Sequence, residues 1–290
     1  MPDSAEQAPP WAERIRRDAR RLAERAERER ARRPPVAAVF DMAERDAEVG
    51  GGIIAGALAY RLFIWLLPLA LVAVAGLGIA ADASSETPEE AAASLGFEGL
   101  VSSSIANAAD SPNRWYALLI GIPVLLWTTR SLLRALIGAH RLVWTDERAR
   151  APKPKLVASL RLLVLLLSFG VVSGAASAVR AWSTGPGVLA TLFAFAGYAG
   201  LWLLVSLQLP HRSAGWVELV PGALVFGVGA EVLNVVAAYV IPPWALAKQG
   251  TYGALGIAAA LLFGLFLISR LIVGGADVNA TLWERRTRPG

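Results

Sequence analysis

The sequence predicts an all-α, polytopic membrane protein: six transmembrane helices, both termini in the cytoplasm, and amphipathic helices at the interfaces. Three observations predict it. Of 290 residues, 55% are hydrophobic and 18% charged, with a mean hydropathy of +0.49, more apolar side chain than one globular core hides from water. The apolar residues fall into six runs that each reach the ~20 residues a helix needs to cross a hydrocarbon core. The segments between the runs alternate between basic and acidic, as the enrichment of Lys and Arg in cytoplasmic loops requires.

Residues 1–35 form an Arg-rich head. Trp11 to Arg33 reads as a helix ended by Pro34-Pro35, with ten Arg set against Glu13, Asp18, Glu24, Glu27 and Glu29. Its apolar side is only Trp11, Ile15, Ala19, Leu22 and Ala26. Such a narrow stripe suits a solvated helix or one resting on anionic headgroups, where each basic residue contributes about 1 kcal/mol; nucleic acid is not an expected partner. The basic region is too long, and no short cleavable apolar segment follows, for a secretory signal. Residues 36–48 place Val36, Val39, Phe40 and Ala43 near helical spacing, as in an interfacial helix.

The membrane domain is expected over residues 36–283, with spans at about 53–79, 115–137, 157–179, 187–209, 219–241 and 253–275. The third carries only Arg161 as a charge, and the fourth none from Gly187 to Leu209. Eleven Arg precede the first span; Arg141, Arg148, Arg150, Lys153 and Lys155 follow the second; a basic tail at 284–290 adds Arg285, Arg286 and Arg288. Residues 81–113 instead hold Asp82, Glu86, Glu89, Glu90, Glu98 and Asp110 without Lys or Arg. In that segment Thr87-Pro88-Glu89-Glu90 predicts the start of an amphipathic helix reaching Ala109 over the outer mouth of the bundle.

Composition also limits the chemistry. Without cysteine there are no disulfides or thiolate-bound metals, and two histidines, His140 and His211, cannot build a multi-histidine site. No Gly-x-x-x-x-Gly-Lys-[Ser/Thr] occurs, and Gly170-Val171-Val172-Ser173-Gly174 is not the Gly-x-Ser-Gly of a membrane protease. No cofactor and no enzymatic activity are expected.

Five short motifs, each in its own span or turn, carry a resemblance. They are Ala57-Leu58-Ala59-Tyr60 with Leu67-Pro68-Leu69; Trp127-Thr128-Thr129-Arg130 with Arg134; Leu209-Pro210 followed by Pro221-Gly222-Ala223 and Glu231; Tyr252-Gly253-Ala254-Leu255-Gly256; and Gly275-Ala276-Asp277-Val278-Asn279. In this order the chain resembles the YihY/BrkB family of bacterial inner-membrane proteins over about residues 36–283. Arg61 stands where that family usually has a second aromatic, Trp65 where it tends to have Ser, and Asp277 where it has Glu. The resemblance implies a six-helix fold in the bacterial inner membrane and little settled biochemistry. The family's former label of tRNA-trimming ribonuclease does not suit this chain. Metal-dependent hydrolysis needs clustered carboxylates or histidines facing water, and the only acid-rich loop is on the exported side.

Ionisable groups inside spans cost about 2.5–3.5 kcal/mol at a helix centre and mark function or internal pairing. Glu231 lies about twelve residues into the fifth span and Arg61 eight to eleven into the first, roughly 18 Å and 12–16 Å from the same side. The overlap predicts an Arg61–Glu231 pair with Asn234 on the same helix face as Glu231, serving either to fix packing or to hold a polar group. Arg130 and Arg134 stack on one face of the second span, and Arg270, Asp277 and Asn279 fall in the last third of the sixth or just beyond it. Together these predict an inward-facing polar cavity for an anionic headgroup, with snorkelling to the interface as the alternative for Arg134 and Arg161. Pro68 predicts a kink in the first span. Gly52–Gly56 and Gly170–Gly174 predict close helix approach.

Two function classes follow: transport of an amphiphilic or anionic envelope molecule such as a lipid, or a non-transporting envelope scaffold whose charges staple helices together. Membrane lipids are the expected partners under either reading, with association of copies left open.

Overall fold

Long apolar helices separated by polar segments can satisfy their own backbone in lipid, and their packing then depends on where small and polar side chains fall. The computed structural model describes residues 32–84, 114–145, 154–182, 187–239 and 241–287, with positions 14, 18 and 21, and no side chains over 237–258. The helix expected over Trp11–Arg33 therefore lies almost wholly outside the described residues, and that over Thr87–Ala109 wholly so. The described residues form seven helices and no strand: α1 Pro34–Val49, α2 Gly51–Ser84, α3 Arg114–Thr145, α4 Leu156–Trp182, α5 Val188–Ser206, α6 Trp216–Tyr239 and α7 Ile241–Thr287. The six from α2 to α7 are long and apolar enough to span a membrane. Contacts divide the chain into residues 1–45 and 46–290, and all six spans belong to the second unit.

Within that unit each span packs on the next in sequence. α7 closes the ring on α2 and also touches α3. Outward residues such as Ile53, Leu119 and Leu189 are more than 70% exposed, as lipid-facing positions are. The core runs through Leu132, Leu136 and Val143 of α3, Leu162 of α4, Trp202 and Val205 of α5, Leu219 and Phe226 of α6, and Val273 and Ala280 of α7. The Trp202 and Phe226 rings stack at 4.4 Å between centroids.

The tightest crossing is α6 on α7. Pro221 lacks an N–H and loosens the first turns of α6. The buried Asn279 amide fills the gap: Gly222 N–H donates to Asn279 Oδ1 at 2.7 Å, and Asn279 Nδ2 donates to the Leu219 carbonyl at 3.1 Å. A Cβ on Gly222 would run into the Gly275 carbonyl and the Asn279 amide, and one on Gly275 would lie 3.0 Å from the Gly222 carbonyl. The Pro-Gly-Ala and Gly-Ala-Asp-x-Asn motifs therefore meet as two halves of one clamp.

The structure extends one sequence expectation and corrects another. The sixth helix runs past 275 to Thr287, and the candidate span Ala259–Thr287 takes in Asp277 and Asn279. Buried partners, not apolarity, let the helix carry these polar residues. The tail beginning at 284 is accordingly helical through Thr287. α2 continues through Pro68 as one helix. Gly52, Gly56 and Gly170 have nothing within 4 Å of a built Cβ, and the close approaches fall instead at Gly222 and Gly275, where a neighbouring backbone fills the space.

Replacing Asn279 with Ala strands a buried N–H and a buried carbonyl, for which the expected cost is about 1–3 kcal/mol. Thermal unfolding of the purified protein in detergent should show a clearly lowered midpoint for this variant. An unchanged midpoint would show that the clamp does not hold α6 to α7.

Candidate functional site

The eight charged and amide residues singled out from the sequence do not line one cavity. They separate into an internal set, held by protein groups, and an arginine face on the outside of α2 and α3.

The internal set follows α7. Arg270 makes a bidentate pair with Asp46, Nη1 to Oδ1 at 2.8 Å and Nη2 to Oδ2 at 3.0 Å. Asp46 is positioned by the chain reversal at Gly50, whose φ of +69° is a conformation glycine adopts without strain. The Gly50 carbonyl accepts from the N–H groups of Ile53 and Ile54 and so starts α2. The pair packs over Gly51, leaving no room there for a side chain, and the carboxylate lies favourably at a helix N-terminus. Asp277, seven residues beyond Arg270 on the same stripe, is 2% exposed and interacts with it electrostatically. One turn further, the buried Thr281 Oγ1 has no hydrogen-bond partner among the described residues. Asn279 is committed to the α6 clamp. Glu231, buried in α6, accepts from Asn234 Nδ2 at 3.2 Å.

Arg61 does not pair with Glu231. α7 packs against both α2 and α6 and stands between them. Arg61 Nη1 donates instead to Ser131 Oγ of α3 at 2.8 Å. Behind this contact, Trp65 Nε1 donates to Thr129 Oγ1 at 2.8 Å, and Thr129 donates to the Leu125 carbonyl at 2.7 Å. These buried bonds close the seam between α2 and α3, so the Arg61 guanidinium lies on the seam's outer side.

Ser131 fixes which neighbours Arg61 has. Trp127, Arg130, Ser131 and Arg134 fall at i, i+3, i+4 and i+7, one face of α3. Arg61, Arg130 and Arg134 are all exposed, lie within the candidate spans Gly51–Ile79 and Trp115–Trp144, and among the described residues make no ion pair. Arg61 is ten residues from the start of α2, roughly 15 Å along the axis. Arg61 is thus held against the neutral hydroxyl of Ser131, on the face of α3 that also carries Arg130 and Arg134. Guanidinium stays charged and offers forked donors to phosphate or carboxylate.

At the end of the bundle near the C-terminus of α7, Arg212 adopts φ 48°, a left-handed conformation that is strained for arginine. It is held 3.9 Å from the Glu284 carboxylate and 5.6 Å over the Trp283 ring, tying the α5–α6 turn to α7.

Motif residues from distant parts of the chain thus meet at the clamp, while at the arginine face Arg130 and Arg134 of one motif lie beside Arg61, which stands outside the motifs. The sequence profile described as virulence factor BrkB matches residues 47–290, all but the head and most of α1. The chain belongs to the BrkB family. Among curated proteins, it is similar to a UPF0761 membrane protein of Rhodospirillum centenum, 29% identical over 150 residues that make up 48% of this chain and 33% of that protein. The matched region thus spans about a third of the relative's length. No solved structure matches the chain. The BrkB-family motifs contain Arg130, Arg134, Asp277 and Asn279, whereas Asp46 and Ser131 went unnoticed in the sequence. Asp46 sits among other acids before the first span and has no signature of its own. Ser131 could have been found as the hydroxyl immediately following Arg130, on the face shared with Trp127 and Arg134.

The two sets should separate by stability. Arg130→Gln and Arg134→Gln remove exposed charges without an ion partner and should leave unfolding within about 0.5 kcal/mol of the parent, whereas Arg270→Ala, which strands Asp46, should lower the unfolding midpoint. A large loss from either glutamine variant would place those arginines in the structural set.

Proposed function

We propose that this multi-pass BrkB-family protein is a transport-type protein of the bacterial inner membrane that accepts an anionic amphiphile, a lipid above all, from the surrounding leaflet. The observation that carries the reading is the arginine face. A charge at membrane depth is costly unless paired or hydrated, and Arg61, Arg130 and Arg134 share one face without a carboxylate among the described residues. An anionic guest supplies the missing charge. The basic flanking segments support termini on the cytoplasmic side; with that orientation the face lies in the inner leaflet. The reading requires no catalytic step, cofactor or nucleotide; movement would be downhill or coupled to an ion gradient. The buried Glu231, on a different helix from the face, is the carboxylate available for such coupling.

A scaffold reading has its own support. The internal polar groups are tied up in the Asp46–Arg270 pair and the Asn279 clamp, as in a bundle built to stay closed. Reconstituted liposomes carrying a fluorescent anionic lipid separate the two. Transport predicts movement across the bilayer above that of empty liposomes, lost in Arg130→Gln/Arg134→Gln, and lost in Glu231→Gln with lipid binding retained. No movement above empty liposomes would overturn the transport reading in favour of the scaffold.

A further inference from the structure

We propose that Arg61, Ser131, Arg130 and Arg134 form a recognition site for the phosphate of a membrane lipid whose headgroup carries no compensating cation, a phosphomonoester lipid foremost. The inference rests on the transport reading only for the route by which the lipid arrives; the site itself follows from charge and placement.

Charge selects the headgroup. Three exposed guanidiniums, that of Arg61 bonded to a neutral hydroxyl, present three positive charges. A zwitterionic headgroup brings its own ammonium into that field, where like charges repel. A phosphodiester with one negative charge leaves two guanidiniums uncompensated. A phosphomonoester brings between one and two charges and three strong acceptor oxygens, enough to engage all three arginines, and planar guanidinium forks match phosphate oxygens bidentately. The bond from Arg61 to Ser131 holds that guanidinium in place before the guest arrives, which reduces the ordering cost of binding.

Placement selects a lipid over a soluble anion. Along α3 the same face continues away from Arg130 and Arg134 through Trp127, Val124 and Ile120, which are 69%, 40% and 61% exposed. The helix therefore presents a cationic patch followed by an apolar track along its axis, the same order as phosphate followed by acyl chain. The Trp65–Thr129 bond seals the seam beneath, so the guest lies on the outside of the bundle and its chains remain in the bilayer. Exposed Arg161 on α4 is five residues from the start of its helix, within reach of the interface by snorkelling, and serves as an internal control.

Titrate the full-length protein in zwitterionic nanodiscs with dioleoyl phosphatidic acid, phosphatidylglycerol, phosphatidylethanolamine and inorganic phosphate, reading bound lipid by native mass spectrometry and competition. Phosphatidic acid should bind saturably and at least tenfold more tightly than phosphatidylglycerol, with phosphatidylethanolamine weaker still and inorganic phosphate competing only weakly. Each of Arg61→Gln, Arg130→Gln and Arg134→Gln should weaken it about tenfold or more, the scale of losing one hydrogen bond to a charged group. Arg130→Lys should restore part of the affinity, and Arg161→Gln should change nothing. Equal affinity for phosphatidylglycerol, loss equally from Arg161→Gln, or a match by inorganic phosphate overturns the assignment, as does finding the face covered by acidic residues of a second copy. If an anionic lipid crosses liposomes in an arginine-dependent way but shows no phosphomonoester preference, this inference falls and the transport reading stands; saturable, selective binding without movement does the reverse.

Discussion

Hydrocarbon offers a polar group no partner, so each one inside a span must be satisfied by the protein or by something the protein binds. That constraint sorts the ionisable and amide residues of this chain. Arg270 is answered by Asp46, Asn279 by the backbone of α6, and Glu231 by Asn234 among its contacts. Arg61, Arg130 and Arg134 are not answered by any carboxylate among the described residues. Internal satisfaction marks architecture, and the uncompensated face marks where a guest would sit.

The architecture is most tightly determined where α6 crosses α7. The Asn279 side chain acts there as a peptide group, donating and accepting where Pro221 has loosened the helix, while Gly222 and Gly275 let the two backbones close on each other. α7, packed on α6, also holds the end of α1 just ahead of α2, through Arg270 and Asp46. The ring therefore closes through polar contacts on a single helix, while apolar contact between neighbours, Trp202 on Phe226 for example, fills the space those contacts define. In lipid this division is expected, because apolar packing alone gives little preference for one helix neighbour over another.

Number, type and approximate limits of the spans were legible in the sequence, because length and hydropathy alone determine them. The sequence also pointed to Arg61 as a residue that makes a polar contact with another span. Azimuth was not legible, and so the partner is Ser131 rather than Glu231, with α7 between the two helices. The full length of the sixth helix was not legible for a related reason. Asp277 and Asn279 look like the edge of a membrane segment until their burial is known. Glycine spacing misled in the same way, since Gly52 and Gly56 repeat at four residues yet face away from any neighbour. The Arg130 and Arg134 pair was recovered as a unit because helical spacing alone determines which face they share.

The central claim is that the arginine face is completed by a lipid phosphate, and structure determination by electron cryomicroscopy in nanodiscs containing phosphatidic acid tests it most directly. The account predicts an ordered phosphate within hydrogen-bonding distance of Arg61, Arg130 and Arg134, with acyl density running past Trp127 toward Ile120. Arginines turned to the aqueous interface, paired with carboxylates of another copy, or left without ordered lipid would contradict it.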